Sequence, residues 1–149
     1  SITDERDEVI DFSEAYTQPD PSAYLAMAED ADLAGGVIAA QTGTIQAAFV
    51  AGTGATLLEF ATPDETVAAV KSGEADAVLA DKSFLQPIAD ADSEVMILAQ
   101  QELIGGGVGL GVRESDGELR EKLNMAIASM KADGTLNELI AKWEVGEQF

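Results

Sequence analysis

Eight residues decide the fold of this chain: Val37-Ile38-Ala39-Ala40-Gln41-Thr42-Gly43-Thr44. The short apolar run from Val37 to Gln41 predicts a buried strand. Gly43-Thr44 then opens a short helix, in which Ile45, Ala48 and Phe49 are spaced to share one face. A strand that turns directly into a helix is the repeating unit of α/β proteins.

The same alternation continues on the C-terminal side of this stretch. Strands are predicted at 57–60, 77–80 and 95–98, with a helix after each of the first two. The first of these helices has a strong start at Thr62-Pro63-Asp64-Glu65, which supplies a threonine cap, a proline and a glutamate in the first turn. Gly73 ends it. The alternation predicts an α/β fold with a mostly parallel sheet covered by helices on both faces.

The C-terminal part of the chain has a different pattern. Residues 105–112 are glycine-rich and extended, and two amphipathic helices follow. Ser115 and Glu118 predict a capping box for the first helix, and Gly134 separates it from the second. The predicted apolar face of the first helix consists of Leu119, Leu123, Ala126, Ile127 and Met130. One βα segment is therefore flanked on both sides by segments of another kind.

Composition excludes several classes of function. The 149 residues contain no cysteine and no histidine, which excludes disulfides, thiolate chemistry, the usual zinc sites and histidine acid–base catalysis. The net charge of −20 argues against nucleic acid or an anionic membrane as a partner. Because the acidic residues are scattered, they indicate a heavily solvated surface suited to a salty extracytoplasmic environment.

Polar residues at strand ends and near the N-terminus are candidates for ligand binding. Arg6 offers a planar fork of donors that matches a carboxylate, and Ser1 offers a hydroxyl; the alternative for Arg6 is a surface residue between two acids. Asp81 follows a predicted strand at the edge where open α/β sheets bind ligands, unless it is a helix cap. Thr44 is able to meet an anion or to cap its helix. Gln41 projects near the same strand end and is able to meet a ligand side chain.

Several short motifs, taken in their order and spacing, resemble the bacterial extracellular solute-binding proteins, family 3, which serve amino-acid ABC importers. They are Ser1-Ile2-Thr3-Asp4-Glu5-Arg6, Asp32-Leu33-Ala34-Gly35, Gln41-Thr42-Gly43-Thr44, Gly73-Glu74-Ala75-Asp76-Ala77-Val78, Asp81, Lys131-Ala132-Asp133-Gly134-Thr135 and Lys142-Trp143. The resemblance implies the two-lobed α/β fold of the type 2 periplasmic binding proteins and a periplasmic location.

The resemblance also implies a domain layout. Residues 1–20 correspond to the end of lobe one and a first crossover, 21–103 to a complete lobe two, and 104–149 to a second crossover, a returning strand and two C-terminal lobe-one helices. We therefore expect a C-terminal fragment that lacks the start of lobe one. Its uncovered edges and apolar faces predict dimerisation or strand exchange between copies.

The resemblance assigns roles to the candidate residues. Ser1, Arg6 and Thr44 would hold the α-carboxylate of an amino acid, and Asp81 would accept its ammonium group. Ile45 stands where many relatives carry a second hydroxyl residue. Its backbone N–H is able to serve the carboxylate, whereas its side chain offers only apolar contact.

The function implied by the resemblance is capture of a free amino acid by hinge closure and its presentation to a membrane permease. No catalytic residue, metal or cofactor is expected. One alternative is the ligand-sensing domain of a membrane receptor or sensor kinase, which uses the same fold. Another is a dehydratase on this scaffold, which the absence of histidine disfavours.

Overall fold

The computed structural model describes residues Ser1 to Phe149, and the chain divides into two units. Unit 1 contains Ser1–Asp20 and Gly105–Phe149, and unit 2 contains Pro21–Ile104. The chain therefore leaves unit 1 after Asp20 and returns to it after Ile104.

Thirteen helices and strands make up the two units. In chain order they are α1 (Asp4–Asp7), β1 (Asp11–Phe12), β2 (Ser22–Ala26), β3 (Val37–Gln41), α2 (Ile45–Ala51), β4 (Thr56–Phe60), α3 (Pro63–Ser72), β5 (Ala77–Asp81), α4 (Lys82–Ala91), β6 (Met96–Glu102), β7 (Gly111–Val112), α5 (Gly117–Ala132) and α6 (Thr135–Trp143). None of the helices combines the length and apolar character needed to cross a membrane.

Unit 2 is a five-stranded sheet with the strand order β4-β3-β5-β2-β6. β3 pairs in parallel with β4 and with β5, whereas β2 is antiparallel to both β5 and β6. All strands except β2 therefore run in the same direction, which confirms the predicted mostly parallel sheet.

The core of unit 2 consists of two apolar layers, one on each face of the sheet. Because successive residues of a strand face opposite sides, Leu25 and Tyr24 of β2 belong to different layers. Leu25 packs with Val70 of α3 and Leu85 of α4, and Tyr24 packs with Val50 of α2. The helices thus cover both faces, as the sequence predicts.

Strand β2 is absent from the sequence-based prediction. All five of its residues are buried, and its short apolar run Ala-Tyr-Leu-Ala lacks the alternation that marks a half-exposed strand. Pairing with β5 and β6 on both sides defines it as a strand. β6 extends past its predicted end at residue 98 because Ser22 and Ala23 pair with Glu102 and Gln101.

The face that the sequence predicts for α2, with Ile45, Ala48 and Phe49, is not the face that the helix buries. Gln46, Ala47 and Val50 are buried, whereas Ala48 is exposed and Ile45 and Phe49 are half-buried. In a helix of only seven residues, the sequence allows more than one choice of apolar face. Packing on the sheet decides which face is buried, and Val50 of α2 packs with Ile38 of β3.

The predicted ends of α3 are confirmed. Thr62 Oγ1 accepts a hydrogen bond from Glu65 N at 3.4 Å, and Glu65 Oε2 accepts one from Thr62 N at 3.0 Å, which completes a capping box. Gly73 ends the helix in the left-handed conformation, with φ of 78°.

The capping box predicted at Ser115 and Glu118 is wrong. α5 begins at Gly117 with Asp116 in the cap position, and no side chain caps its first turn. A turn in which Asp116 N donates to Arg113 O at 2.8 Å delays the helix, so Ser115 lies too far from the first helical residue to cap it.

Unit 1 has a small core in which Ile127 of α5 packs with Leu136 and Ile140 of α6. Of the predicted apolar face of α5, only Ile127 is fully buried, and Leu119 is 48% exposed. Met125 and Trp143 are also exposed. The predicted dimerisation or strand exchange stays a prediction.

Gly36 allows the turn before β3 to form. A Cβ atom on Gly36 would overlap the backbone oxygen of Asp32 and would lie 2.6 Å from Oδ2 of Asp76, which accepts a hydrogen bond from Val37 N. We expect Gly36→Ala to lower the free energy of unfolding, measured by urea denaturation, by about 1–3 kcal/mol. Gly35→Ala is the control, because its Cβ would meet only the movable Asp32 carboxylate, at 3.2 Å. Equal effects of the two substitutions would contradict this explanation.

Tyr24 gives unit 2 a pH-dependent contribution to stability. Burial, together with the negative charge of Glu102 and the hydrogen bond that the Tyr24 hydroxyl donates to it at 3.3 Å, raises the pKa of Tyr24 from 10.0 to about 12. The folded protein therefore favours the protonated phenol. This contribution is fully present below pH 10.0 and is lost as the pH rises to about 12.

We expect the difference in unfolding free energy between the wild type and Tyr24→Phe to change by about 2–3 kcal/mol over this pH range. Urea denaturation at several pH values measures it, and the ultraviolet absorbance of the ionised phenol gives an independent reading. A difference that stays constant with pH would refute the prediction.

Candidate functional site

Asp81 ends β5 at the carboxyl edge of the sheet of unit 2 and occupies the position before α4. The alternative prediction, that the Asp81 side chain caps α4, is wrong, because the carboxylate makes no capping hydrogen bond to that helix. Instead, Asp81 Oδ1 accepts a hydrogen bond from Gln46 Nε2 at 2.6 Å. The carboxylate is thus oriented by a neighbouring helix.

Gln46 and Ser22 complete a polar group around Asp81. Gln46 Nε2 also donates to Ser22 Oγ at 3.0 Å, and both side chains are buried. Ser22 begins β2 and stands opposite Asp81 in the antiparallel register. Since β2 runs against its neighbours, its first residue lies at the same edge as the last residue of β5.

Thr44 and Gln41 form the loop between β3 and α2. The Thr44 hydroxyl donates to Gln41 O at 2.7 Å and accepts from Ala47 N at 3.2 Å, so Thr44 caps α2. The Gln41 side chain donates to Ala61 O at 3.1 Å. Because the hydroxyl has one hydrogen, its donation to a ligand carboxylate would require it to release the Gln41 carbonyl, and this contact stays a prediction.

The strand ends and helix starts of unit 2 line a half-open cavity of about 170 Å³. The predicted residues Gln41, Thr44 and Asp81 line it together. The remaining lining residues are Gln46, Pro63, Thr66, Leu79, Ala80 and Phe84. Ile45 begins α2 beside Thr44 and is not part of the lining, and its predicted contact with a ligand stays a prediction.

Two polar residues of this cavity, Gln46 and Thr66, are not among those predicted from the sequence. Both are buried, and the Thr66 hydroxyl donates to Pro63 O at 2.6 Å. Gln46 shares the buried side of α2 with Val50, four residues later. A polar residue on a buried helix face needs a hydrogen-bond partner, and this signal would have pointed to Gln46 once the face was known.

Unit 1 holds the other two candidates, Ser1 and Arg6. Thr3 caps the single turn α1, with its Oγ1 accepting from Arg6 N at 3.3 Å. This turn folds the guanidinium back onto the start of the chain, where Arg6 Nη1 donates to Ser1 O at 3.0 Å. The structure therefore brings Ser1 and Arg6 together, and Arg6 is half-buried.

The two segments of unit 1 next to the unit boundaries are tied by hydrogen bonds. Ser13 and Thr17 are buried, and their hydroxyl oxygens accept from Leu110 N at 2.9 Å and Val108 N at 3.0 Å. Backbone hydrogen bonds run alongside, from Ser13 N to Leu110 O and from Tyr16 N to Val108 O. The two segments are therefore held side by side by backbone and side-chain hydrogen bonds.

Comparison with known proteins defines the class. The crystal structure of a periplasmic His/Glu/Gln/Arg/opine family-binding protein from Silicibacter pomeroyi in complex with lysine is 60% identical, with a TM-score of 0.87, and the match covers 96% of this chain and 66% of that one. An ancestral arginine-binding protein bound to glutamine is 30% identical, with a TM-score of 0.78, and the match covers 96% and 67%. The fold is that of the type 2 periplasmic binding proteins.

The family follows from the sequence. The profile of the bacterial extracellular solute-binding proteins, family 3, matches residues 1–147, and the chain belongs to this family. A histidine-binding periplasmic protein of Salmonella typhimurium is 32% identical over 159 residues, which cover 96% of this chain and 61% of the relative. The chain thus spans about three fifths of the length of this curated relative.

Proposed function

We propose that this protein is the substrate-binding component of an amino-acid ABC importer. Membership in family 3 supports the general role, and the oriented carboxylate of Asp81 is the observation that carries the assignment of ligand class. A carboxylate that lines a cavity at the edge of an α/β sheet is suited to receive the ammonium group of a zwitterion.

Arg6 is the proposed partner of the ligand carboxylate. Guanidinium and carboxylate groups match in two parallel hydrogen bonds, which gives geometric specificity as well as affinity. Ser1, Thr44 and the Ile45 N–H are proposed to add donors, and Gln41 to meet the ligand side chain. Hydrogen bonds to charged groups contribute about 1.5–3 kcal/mol each, so a few of them approach the roughly 8 kcal/mol of a micromolar complex.

The proposed mechanism is closure of two lobes about a hinge. Ligand would dock on Arg6 in lobe one, and Asp81 and Thr44 would arrive with lobe two, so that water is excluded from both charged ends. The closed form would then be presented to a membrane permease in the periplasm.

A basic or amide-bearing amino acid is the proposed ligand. The 60% identical relative was crystallised with lysine, and the curated relatives include histidine-, glutamine- and arginine-binding proteins. Lysine is therefore the first ligand to test.

The test is isothermal titration calorimetry on the full-length gene product with lysine, arginine, histidine, glutamine and glutamate. We expect at least one of them to bind with a dissociation constant in the micromolar range or below, and the others to bind more weakly. Failure of all common amino acids to bind at millimolar concentration would refute the proposal. Turnover of prephenate or arogenate by the same preparation would instead support the dehydratase alternative, and a covalently linked signalling domain in the gene would support the sensor alternative.

A further inference from the structure

We propose that Gln46 is a positioning residue that holds the Asp81 carboxylate for the ligand ammonium and thereby sets the preference of the site for α-amino acids. This inference rests on the proposed function and adds to it the residue that makes Asp81 selective. It starts from the hydrogen bonds of Gln46, whose amide bridges α2, β2 and β5.

The orientation of the Gln46 amide is fixed by its partners. A carboxylate only accepts hydrogen bonds, so the group facing Asp81 Oδ1 at 2.6 Å must be the NH₂ of Gln46. The same nitrogen donates its second hydrogen to Ser22 Oγ at 3.0 Å. Both N–H hydrogens are therefore used within the protein, and Gln46 acts on a ligand ammonium through Asp81.

Burial makes this arrangement rigid. Gln46 is 6% exposed and Ser22 is 1% exposed, and a buried amide that lost its partners would carry a desolvation cost. Ser22 is fixed in turn by the β2–β5 register, in which it stands opposite Asp81. The bridge thus has two anchors in the sheet, Ser22 and Asp81.

The consequence for binding is preorganisation of the acceptor. Asp81 itself is exposed at the strand end, where several rotamers are open to a short side chain. The hydrogen bond from Gln46 selects one of them before the ligand arrives, which lowers the ordering cost of binding. This gain applies only to ligands that use the Asp81 carboxylate, which under the proposed function are ligands with an α-ammonium group.

The experiment compares two probes that differ only in that group. Lysine and 6-aminohexanoate, which is lysine without its α-ammonium, are titrated calorimetrically into the wild-type gene product, Gln46→Leu and the more flexible Gln46→Met. We expect both variants to bind lysine about tenfold more weakly or worse, because one charge-assisted hydrogen bond that orients Asp81 is lost. Binding of 6-aminohexanoate should change by less than about threefold, within the scatter of changes at independent sites.

The chain offers a matched control in α4. Gln86 Nε2 donates to Asp90 Oδ1 at 2.8 Å, which is the same amide–carboxylate pair on an exposed part of the helix. Gln86→Leu should leave the affinity for both probes unchanged. Equal weakening of both probes by Gln46→Leu and Gln46→Met would show that Gln46 only supports the fold, and unchanged lysine binding in a folded Gln46→Met protein would also refute the inference.

A measurement without ligand separates this inference from the proposed function. The side-chain amide resonances of Gln46 in the nitrogen–proton NMR spectrum should shift in Asp81→Asn and in Ser22→Ala, and stay unchanged in Asp90→Asn. If the Gln46 amide resonances shifted in neither Asp81→Asn nor Ser22→Ala, the hydrogen-bond bridge from Gln46 to these residues would be refuted, whether or not the protein binds lysine. Failure of the wild type to bind any amino acid, with the shifts present, would refute the proposed function and the selectivity role of Gln46 but not the bridge.

Discussion

Asp81→Asn is expected to weaken binding of the free amino acid by at least about 100-fold, the largest effect that we predict for a single substitution in unit 2. The reason is that a desolvated ammonium would lose its only proposed counter-charge, and removing one partner of such a pair costs about 3–5 kcal/mol. Asparagine keeps the shape of the side chain, and its oxygen is still able to accept the hydrogen bond from Gln46. Calorimetry with lysine measures the effect directly.

Asp90→Asn is the control for this experiment. Asp90 also accepts a hydrogen bond from a glutamine, but it lies on the exposed part of α4 and away from the cavity lining. Its substitution changes the net charge of the protein by the same amount. We expect the lysine affinity of Asp90→Asn to stay within about threefold of the wild-type value. If the affinity of Asp81→Asn also stayed within that range, Asp81 would not be the ammonium acceptor.

Arg6→Ala is expected to weaken lysine binding by at least about 100-fold, and Arg6→Lys by about tenfold. Alanine would remove the two charge-assisted hydrogen bonds proposed for the ligand carboxylate, whereas lysine would retain the charge and lose the planar fork. A second measurement compares the affinity for lysine with the affinity for lysine amide, which has no carboxylate. The wild type should prefer lysine to lysine amide strongly, and Arg6→Ala should lose most of that preference.

Arg113→Ala serves as the control for Arg6. Arg113 also belongs to unit 1, but its side chain is 85% exposed and pairs only weakly with Asp116 at 3.4 Å. Its removal should change lysine affinity by less than about twofold. Retention of the full preference for lysine over lysine amide in Arg6→Ala would show that another group binds the carboxylate.

Local signals in the sequence predicted local structure well. The capping box at Thr62 and Glu65 and the glycine stop at Gly73 appear in the structure because each depends on atoms within one helical turn. The strand at Val37–Gln41 has the predicted bounds for a similar reason, since an apolar run between turn residues is a short-range pattern. The capping box at Ser115 failed because a preceding turn moved the helix start by one residue, and local patterns do not fix boundaries to that accuracy.

The sequence by itself therefore determined the α/β alternation, the strand end at Gln41, the place of Asp81 at the end of a strand to within one residue, and the family motifs that contain Ser1 and Arg6. Only the tertiary structure decided that β2 enters the sheet in the opposite direction and that α2 buries Gln46. The bridge from Gln46 to Ser22 and Asp81 joins residues 24 and 35 positions apart. Periodicity and caps describe neighbours along the chain, whereas these partners meet only through the strand register and the packing of a helix on the sheet.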